Sequence, residues 1–338
     1  MKLETWTIQG SAGFHFGRHG IGQEESTAIF PSDSLFAALV YQLALIRPQP
    51  EVRDWCQQFE TDPPFLLTCA FPSAGQVRFY PLPMHIHSKV ADVWQDSKAL
   101  KRTSLISEDI LQAIMRGDET KLFNAITIQG GAALISPGEF GLLDPSVQTD
   151  KRLWEINKRP RVTVGRQVAQ SNLYHTGITT FSPGCGLWFG IQWRIESSEE
   201  KALVRQLLQI LGDSGLGGER SAGFGSAKIE PGPSLDLPDS GQGLAYLLSR
   251  YIPKAGEWAA LQHPSARYKV VDTGGWAYTS QHRSQRRKTV TQIEAGSVLF
   301  GLDRQPAGCL VDVRPTYEGV PDFPHPIWRS GYAVVIGL

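Results

Sequence analysis

The apolar pattern at the start of the chain predicts a strand, a glycine-rich loop and a helix. Polar and apolar residues alternate over Thr5–Gln9, as in a half-buried strand, and five glycines then interrupt the chain between positions 10 and 22. Leucines at 35, 39 and 43 share one helical face, so we expect a helix with Ser32 or Asp33 as its N-cap. Arg47-Pro48 predicts the end of this helix. A long first loop therefore lies between strand and helix.

Later segments complete the order β-α-β-β-α-β. Ser197 and Glu200 form a capping box for a helix over Ser198–Leu211, with Gly212 expected just beyond its end. The remaining strands are expected at Phe65–Phe71, Gln76–Pro81, Leu187–Ile195 and Ser226–Glu230. This is the ferredoxin-like order, interrupted by an insertion of about 85–159 that contains a helix near Ser107–Arg116.

Residues 231–243 are rich in Pro, Gly, Ser and Asp and predict a linker into a second domain. Its strands are expected at Tyr246–Ile252, Tyr268–Asp272, Val290–Leu302, Leu310–Arg314 and Tyr332–Ile336. We therefore predict an α+β protein of two ferredoxin-like (RRM-like) domains packed together, at 1–232 and 240–338. The first has the insertion and a glycine-rich loop after its second helix.

Composition indicates an ordinary soluble protein. Of 338 residues, 41% are hydrophobic and 20% are charged. The chain has no apolar stretch long enough to span a membrane, and its first residues lack the apolar core of a signal peptide, so we expect a cytoplasmic protein. Four scattered cysteines without a C-x-x-C pair argue against a disulfide framework or a structural zinc site, and we expect reduced thiols.

Charge requires that any nucleic-acid site be local, because 33 basic residues balance 33 acidic ones. The strongest signal is a run of six glycines over 212–225 around one arginine. Nucleotide-binding loops precede a helix, whereas this loop follows one and lacks Gly-Lys-Ser/Thr, which excludes Walker and dinucleotide sites. We expect loop N–H groups and the arginine to hold RNA phosphates. The expected contacts are Gly217, Gly218, Arg220, Ser221, Gly223 and Gly225.

Two basic clusters are further candidates. Alternate residues of an extended segment point the same way, so Arg159, Arg161 and Arg166 would line one groove. An edge strand kept soluble by charge explains the same pattern. Secondary RNA contacts, or a solvated hairpin, are expected at Arg283, Arg286 and Arg287.

The first loop also carries candidate RNA contacts, namely His15, Phe16 and Arg18. A ring such as that of Phe14, Phe16 or Tyr174 would stack on a splayed base. A loop histidine that packs locally explains His15 equally well.

Seven motifs are spread along the chain outside residues 85–150. They are F-H-F-G with G-I-G-Q-E-E, S-D-S-L-F-A-A-L, R-P-R-V-T-V-G-R, N-L-Y-H-T-G, G-L-G-G-E-R-S-A-G-F-G, I-E-A-G-S-V-L-F and H-P-I-W-R-S-G-Y-A. Together they resemble the RAMP superfamily of CRISPR proteins, and most closely the family of subunit 4 of Csm (type III-A) effector complexes. The glycine loop alone indicates only the superfamily. The helix start and the two C-terminal motifs restrict the resemblance to the subunit 4 family.

The resemblance implies a non-catalytic cap that holds the repeat-derived 5′ tag of the crRNA. It also implies partners, the large polymerase-like CRISPR subunit and the backbone RAMP subunit, in a hetero-oligomer without a cofactor or a membrane. RNase, DNase and cyclic oligoadenylate synthase activities would belong to other subunits. The equivalent cap of Cmr (type III-B) complexes shares the arginine segment and glycine loop, so that subtype stays open.

Other classes of function also stay open. A metal-independent endoribonuclease would use His15, His19 or His175 to help a 2′-OH attack its neighbouring phosphate. A pure protein scaffold would not need Arg220 for RNA binding. Polymerase activity is disfavoured because no G-G-D-D is present. His85 and His87 would share one strand face but lack a third ligand, so no metal is expected.

Overall fold

The computed structural model describes residues 1–17, 24–89, 101–164, 171–277, 285–302, 306–316 and 323–338. Arg18, His19, Arg166 and Arg283 lie outside these ranges. The expectations for these four residues therefore stay predictions.

Helices and strands alternate irregularly along the described ranges. The helices are α1 Ser32–Ile46, α2 Gln49–Thr61, α3 His85–Lys89, α4 Glu108–Met115, α5 Thr120–Phe123, α6 Pro137–Phe140, α7 Pro145–Asp150, α8 Ser198–Ser214 and α9 Trp258–Gln262. The strands up to residue 231 are β1 Lys2–Gly10, β2 Phe65–Leu67, β3 Phe71–Ala74, β4 Val77–Pro81, β5 Leu105–Ser107, β6 Ile126–Ile128, β7 Ala133–Ile135, β8 Trp154–Val164, β9 Ser171–Phe181, β10 Cys185–Trp193 and β11 Ala227–Pro231. The later strands are β12 Leu235–Asp236, β13 Leu244–Leu247, β14 Val270–Thr273, β15 Trp276–Ala277, β16 Gln285–Arg286, β17 Val290–Ile293, β18 Val298–Phe300, β19 Leu310–Asp312, β20 Trp328–Ser330 and β21 Val335–Gly337.

One large sheet organises the N-terminal two thirds of the chain. Its order is β11-β1-β10-β3-β4-β5-β7-β6, with β2 also paired to β10 and β12 to β1. Strand β1 is antiparallel to both neighbours, with Trp6 opposite Phe189 and Ile8 opposite Ile229. Strands β5, β7 and β6 come from the predicted insertion and continue the sheet beyond β4. The protein is thus α+β with a large mixed sheet.

The core forms where α1 and α8 pack against each other beside this sheet. Leu35, Leu39 and Leu43, the predicted apolar face of α1, are fully buried, and so are Leu207 and Leu211 of α8. All five belong to the same core as the apolar side chains of β1. Burying each such side chain contributes roughly 1.5–3 kcal/mol, so this face holds the helices on the sheet.

Helix α2 was not predicted from the sequence. Its buried residues Trp55, Cys56 and Phe59 have helical spacing, so the signal was present. Prolines at 48 and 50 obscured it, yet Pro50 lies in the first turn, where the missing N–H costs nothing. The ring of Phe59 lies 4.9 Å from that of Phe36 in α1, which fixes α2 against the core.

Several predicted elements are wrong in detail. The predicted strand Phe65–Phe71 is not continuous, because β2 ends at Leu67 and β3 begins only at Phe71. His85 and His87 lie in helix α3, so they do not share a strand face. The predicted strand Val290–Leu302 is divided by a turn in which Gly296 has φ 93°, and the other predicted strands of this half are shorter than expected.

The C-terminal part packs directly on the large sheet. Strands β18-β13-β21 form a separate three-stranded sheet. From it, the Tyr246 hydroxyl donates to the Pro81 carbonyl at 2.5 Å, and the Cys69 N–H donates to the Leu248 carbonyl at 2.8 Å. The predicted linker is not free either, because β12 pairs with the start of β1. In the part of the chain that is described, no helix is both long and apolar enough to cross a bilayer.

Asp33 does not cap α1, which corrects the sequence prediction. The residue before the helix is Pro31, which has no capping side chain, and the Ser32 hydroxyl accepts the N–H of Arg250 instead. The Asp33 carboxylate is fully buried and receives Arg250 Nη1 at 3.3 Å and Arg329 Nη1 at 3.4 Å. This carboxylate therefore links α1 to two arginines from beyond residue 240.

We expect Asp33→Asn to lower the free energy of unfolding by about 3–5 kcal/mol, because it leaves buried guanidinium groups without their counter-ion. Chemical denaturation monitored by circular dichroism measures this. The matched control is Asp54→Asn, an exposed position on α2, which should change stability by less than ~0.5 kcal/mol. Equal effects of the two substitutions would contradict the assigned role of Asp33.

Candidate RNA-binding surface

The glycine loop, defined here as residues 215–225, follows α8 as predicted but starts later than expected. Helix α8 continues through Gly212 to Ser214, and Gly215, with φ 87°, forms its C-cap. Gly212 is buried inside the helix, where an added Cβ would lie 2.5 Å from the Ala227 carbonyl oxygen. This glycine therefore permits close packing of α8 on β11 and does not end the helix.

Most glycines of the loop are required by packing within the protein. An added Cβ on Gly217 (φ 85°) would lie 2.5 Å from the His15 carbonyl oxygen, and one on Gly225 (φ 88°) would lie 2.4 Å from the Leu216 oxygen. Gly218 donates its N–H to the His15 carbonyl at 2.9 Å. By contrast, Gly223 (φ 87°) has open space where its side chain would be. Of these four glycines, Gly223 alone has room for a ligand to approach its Cα.

The first loop supports the glycine loop from below. Phe14 and Phe16 are buried, their rings stack at 5.0 Å, and Phe16 also lies 4.8 Å from Phe30. Their rings are therefore core side chains, which corrects the expectation that Phe14 or Phe16 stacks on a base. Half-buried His15 places Nδ1 2.8 Å from the Gly177 carbonyl oxygen. Since a carbonyl only accepts, Nδ1 carries the proton there.

Strands β8 and β9 form an eleven-pair antiparallel hairpin that carries the arginine segment. The predicted extended conformation is confirmed as far as Val164, whereas the partner strand was not predicted. Arg159 and Arg161 lie two residues apart on one face, and their guanidinium carbons lie 5.3 and 5.6 Å from the ring of Phe224. Phe224 belongs to the glycine loop, so the structure brings the two sequence motifs together.

Arg220 lies at the exposed tip of the loop. It begins a short 3-10 turn, Arg220–Ala222, and Ser221 beside it is also exposed. Its guanidinium carbon is 5.1 Å from the ring of Tyr41, an α1 side chain that is 43% exposed. Arg220 therefore rests on an aromatic ring and faces solvent.

Sequence reasoning missed two residues of this surface, Glu219 and Phe224. Glu219 has φ 57°, and its Oε2 lies 3.7 Å from Arg161 Nη2. Phe224, between two glycines, is buried under the arginines. A large apolar residue within a polar glycine run was the available signal for Phe224, whereas the ion pair of Glu219 depends on the tertiary fold.

The second basic cluster divides into one exposed and one buried residue. Arg286 is exposed, with its guanidinium carbon 5.5 Å from the ring of Trp276. Arg287 is buried and donates to the carbonyls of Thr273 and Gly274. Arg287 therefore does not form an exposed RNA-binding surface together with Arg286, because its guanidinium faces the protein interior.

Two histidines lie in the described part of this region, and the structure holds His15 through its side chain and His175 through its backbone. His15 is committed through Nδ1 to the hairpin, and the edge of its ring packs on Gly218. His175 pairs with Pro160 in the hairpin, beside the ion pair of Glu24 with Lys158. Among the described residues, no three His, Cys, Asp or Glu side chains converge as metal ligands. The groups brought together here are donors suited to holding an anion.

Gly225→Ala and Gly223→Ala separate backbone strain from crowding, because both glycines have φ near 88°. We expect Gly223→Ala to cost about 1 kcal/mol of unfolding free energy, from the left-handed conformation alone. Gly225→Ala adds a clash with backbone and should cost ~3 kcal/mol or more. Urea denaturation of both variants tests this, and equal losses would show that the close approach is unimportant.

The sequence of this chain is similar to that of known CRISPR proteins. Residues 241–338 match the family model of the CRISPR Csm4 C-terminal domain. A Mycobacterium tuberculosis (strain CDC 1551 / Oshkosh) protein named CRISPR system Cms protein Csm4 is 25% identical over 291 residues, 84% of either chain. A protein of that name from Streptococcus thermophilus is 23% identical over 333 residues, 96% of this chain and 95% of its own.

Solved structures with a similar fold span the whole chain. A crystal structure of the Csm3-Csm4 subcomplex in the type III-A CRISPR-Cas interference complex matches with a TM-score of 0.68 at 16% identity over 99% of both chains. The Csm1-Csm4 cassette in complex with pppApA matches with a TM-score of 0.60 at 14% identity, covering 100% of this chain and 98% of that one. Residues 241–338 are thus similar to the C-terminal domain of Csm4 proteins, and the chain as a whole shares its fold with the solved Csm4 structures.

Proposed function

We propose that this chain is a non-catalytic, RNA-binding subunit of a type III-A CRISPR (Csm) effector complex. It holds the repeat-derived 5′ tag of the crRNA, docks the large polymerase-like subunit and nucleates the filament of backbone RAMP subunits. Solved relatives support these partners, since one is described in a Csm3-Csm4 subcomplex and others in a Csm1-Csm4 cassette. The resulting assembly is a hetero-oligomer.

The main observation in support of RNA binding is that the arginines of this surface stack on aromatic rings. Arg159 and Arg220 rest on aromatic rings, and neither guanidinium forms a hydrogen bond or an ion pair within the described ranges. A guanidinium on a ring face keeps its N–H groups available, and their forked geometry suits phosphate oxygens. Arg161 shares the ring of Phe224 with Arg159, so these three arginines form one donor surface along the hairpin and loop.

This surface holds RNA by position and does not cleave it. His15, which packs on Gly218 of the glycine loop, uses Nδ1 to bind the hairpin and so supports both motifs. Phosphate contacts fix the register of a bound strand without reading its bases, which suits a subunit that grips a constant tag. Metal-independent RNA cleavage is the rival function.

We infer the same two-domain architecture that the sequence indicates, with ferredoxin-like units at 1–232 and 240–338 and an insertion at 85–159. The order β11-β1-β10-β3, with α1 and α8 packed beside it, supports the first unit. The sheet β18-β13-β21 supports a smaller second unit.

Alanine at Arg159, Arg161 or Arg220 should weaken binding of a labelled 5′-tag RNA and flatten its salt dependence. Each lost phosphate contact lowers the slope of log affinity against log salt by about 0.7 for a single strand. Fluorescence anisotropy over a salt series measures both quantities on the purified chain. Arg53→Ala, an exposed arginine on α2, is the matched control and should leave the slope unchanged.

The same RNA, incubated with the protein in EDTA and run on a denaturing gel, distinguishes the rival function. Intact RNA that is bound with an Arg220-dependent slope supports the proposed cap. Specific cleavage that disappears in His15→Ala or His175→Ala would instead assign an endoribonuclease. Unchanged affinity and slope in all three arginine variants would remove this surface from the RNA contacts.

Glu219→Gln should tighten tag binding about twofold to fivefold at low salt, which is the range expected for removal of one partly exposed ion pair. The carboxylate pairs with Arg161 in the free protein and repels a phosphate that approaches the same guanidinium. The advantage should fade as salt is raised, because screening weakens the repulsion.

The control is Glu155→Gln, which removes a carboxylate paired with Arg152 near the base of the same hairpin. Equal tightening by both substitutions would indicate a general change of charge. No tightening by Glu219→Gln would place the phosphates away from Arg161.

A further inference from the structure

A second group of arginines lies where the C-terminal part meets α1. Arg250, Arg287 and Arg329 surround Asp33 and the neutral side chains of Thr273 and Gln292; we call these six residues the arginine cluster. Arg250 Nη1 lies 3.3 Å from Asp33 Oδ1, 3.2 Å from Thr273 Oγ1 and 3.4 Å from Gln292 Oε1. Arg329 Nη1 reaches Asp33 Oδ2 and the Ser34 hydroxyl, both at 3.4 Å.

The charges in this cluster do not balance. Three guanidinium groups face a single carboxylate, which leaves two positive charges in excess among the described residues. Arg287 is 6% exposed, and within the described ranges its guanidinium donates only to neutral carbonyls, those of Thr273 at 3.2 Å and Gly274 at 2.6 Å. Burial, and then the charge of Arg329, lowers the pKa of Arg287 below its ordinary value. Buried charges are normally paired, so the described part of this arrangement has room in its charge balance for an anion.

Donors without an acceptor occur in the same place. Arg287 Nε, Arg329 Nε and Gln292 Nε2 are all buried and have no hydrogen-bond partner among the described residues. Buried donors of this kind are rare in native proteins, and these three belong to a single contact network. The network also adjoins the first turn of α1, a fifteen-residue helix whose N-terminal end is electropositive.

The excess positive charge and the unpartnered donors of the arginine cluster indicate which class of anion would bind there. A carboxylate or a phosphodiester carries one negative charge, and a diester also continues as a chain on two sides, which this degree of burial does not admit. A phosphate monoester or inorganic phosphate carries close to two charges and three acceptor oxygens. The side chains of Arg250 and Arg329, 9% and 14% exposed, offer an edge for its entry.

We propose that the arginine cluster is a binding site for a phosphate dianion, supplied as inorganic phosphate or as the terminal phosphate of an RNA. The site shares no residue with the surface formed by Arg159, Arg161 and Arg220. It stands independently of the proposed RNA-binding function.

Thermal unfolding of the full chain tests the site, in sodium phosphate and in sodium chloride of equal ionic strength at slightly alkaline pH. Phosphate at tenfold its Kd should raise the Tm by roughly 2–4 °C over chloride. The Arg287→Gln variant should fold, because the substitution removes a buried charge that its neighbours repel. Phosphate should no longer raise the Tm of this variant over its value in chloride. Arg53→Gln is the matched control and should keep this increase.

Calorimetric titration of inorganic phosphate into the wild-type chain provides a second measurement that needs no variant. The two sources are separated by comparing a short RNA with a 5′-phosphate and its 5′-hydroxyl form, each with wild type and Arg287→Gln. If the 5′-phosphorylated RNA binds more tightly and this preference depends on Arg287, the ligand is an RNA terminus. If inorganic phosphate binds and the two RNAs do not differ, the ligand is the free ion. Absence of a phosphate-specific Tm increment in wild type, or its survival in Arg287→Gln, would overturn the proposal.

Discussion

A carboxylate shielded from water, that of Asp33, determines where α1 lies. The arginines that bind it come from beyond residue 240, so the ion pairs hold the helix against the C-terminal part. The same helix packs against α8 and presents Tyr41, on which Arg220 rests. The exposed arginine of the glycine loop thus depends on an interaction in the protein interior, through the placement of one helix.

Close backbone contact defines the rest of the surface. The glycine loop has little regular structure, yet hydrogen bonds and steric fit to His15 hold it against the first loop, and His15 in turn binds the β8–β9 hairpin at Gly177. His15 therefore holds together three segments that are distant in sequence, namely the first loop, the glycine loop and the hairpin. Phe224 then brings the arginines of the hairpin over the loop by cation–π contact, so the donors are ordered before any ligand arrives.

Local sequence patterns predicted the secondary-structure elements better than they predicted the roles of individual residues. The leucine spacing of α1, the capping box at Ser197 and the extended arginine segment were readable because each depends on neighbours in sequence. Asp33 resembled a cap because a buried ion pair more than two hundred residues away leaves no local trace. The close packing of the loop glycines was unreadable for the same reason, since the backbones that they accommodate are remote in sequence. Phe16 is apolar in a flexible-looking loop, and only the tertiary fold shows that it is core.

The strands of the insertion change what kind of edge the large sheet has. Without β5, β7 and β6, the outer side of β4 would expose a row of unpaired N–H and carbonyl groups, which is a template for pairing with other chains. The insertion moves that edge outward to β6, a strand of three residues. Solubility of a shortened chain would therefore depend on the sheet edge that the cut exposes, even if every arginine of the surface were retained.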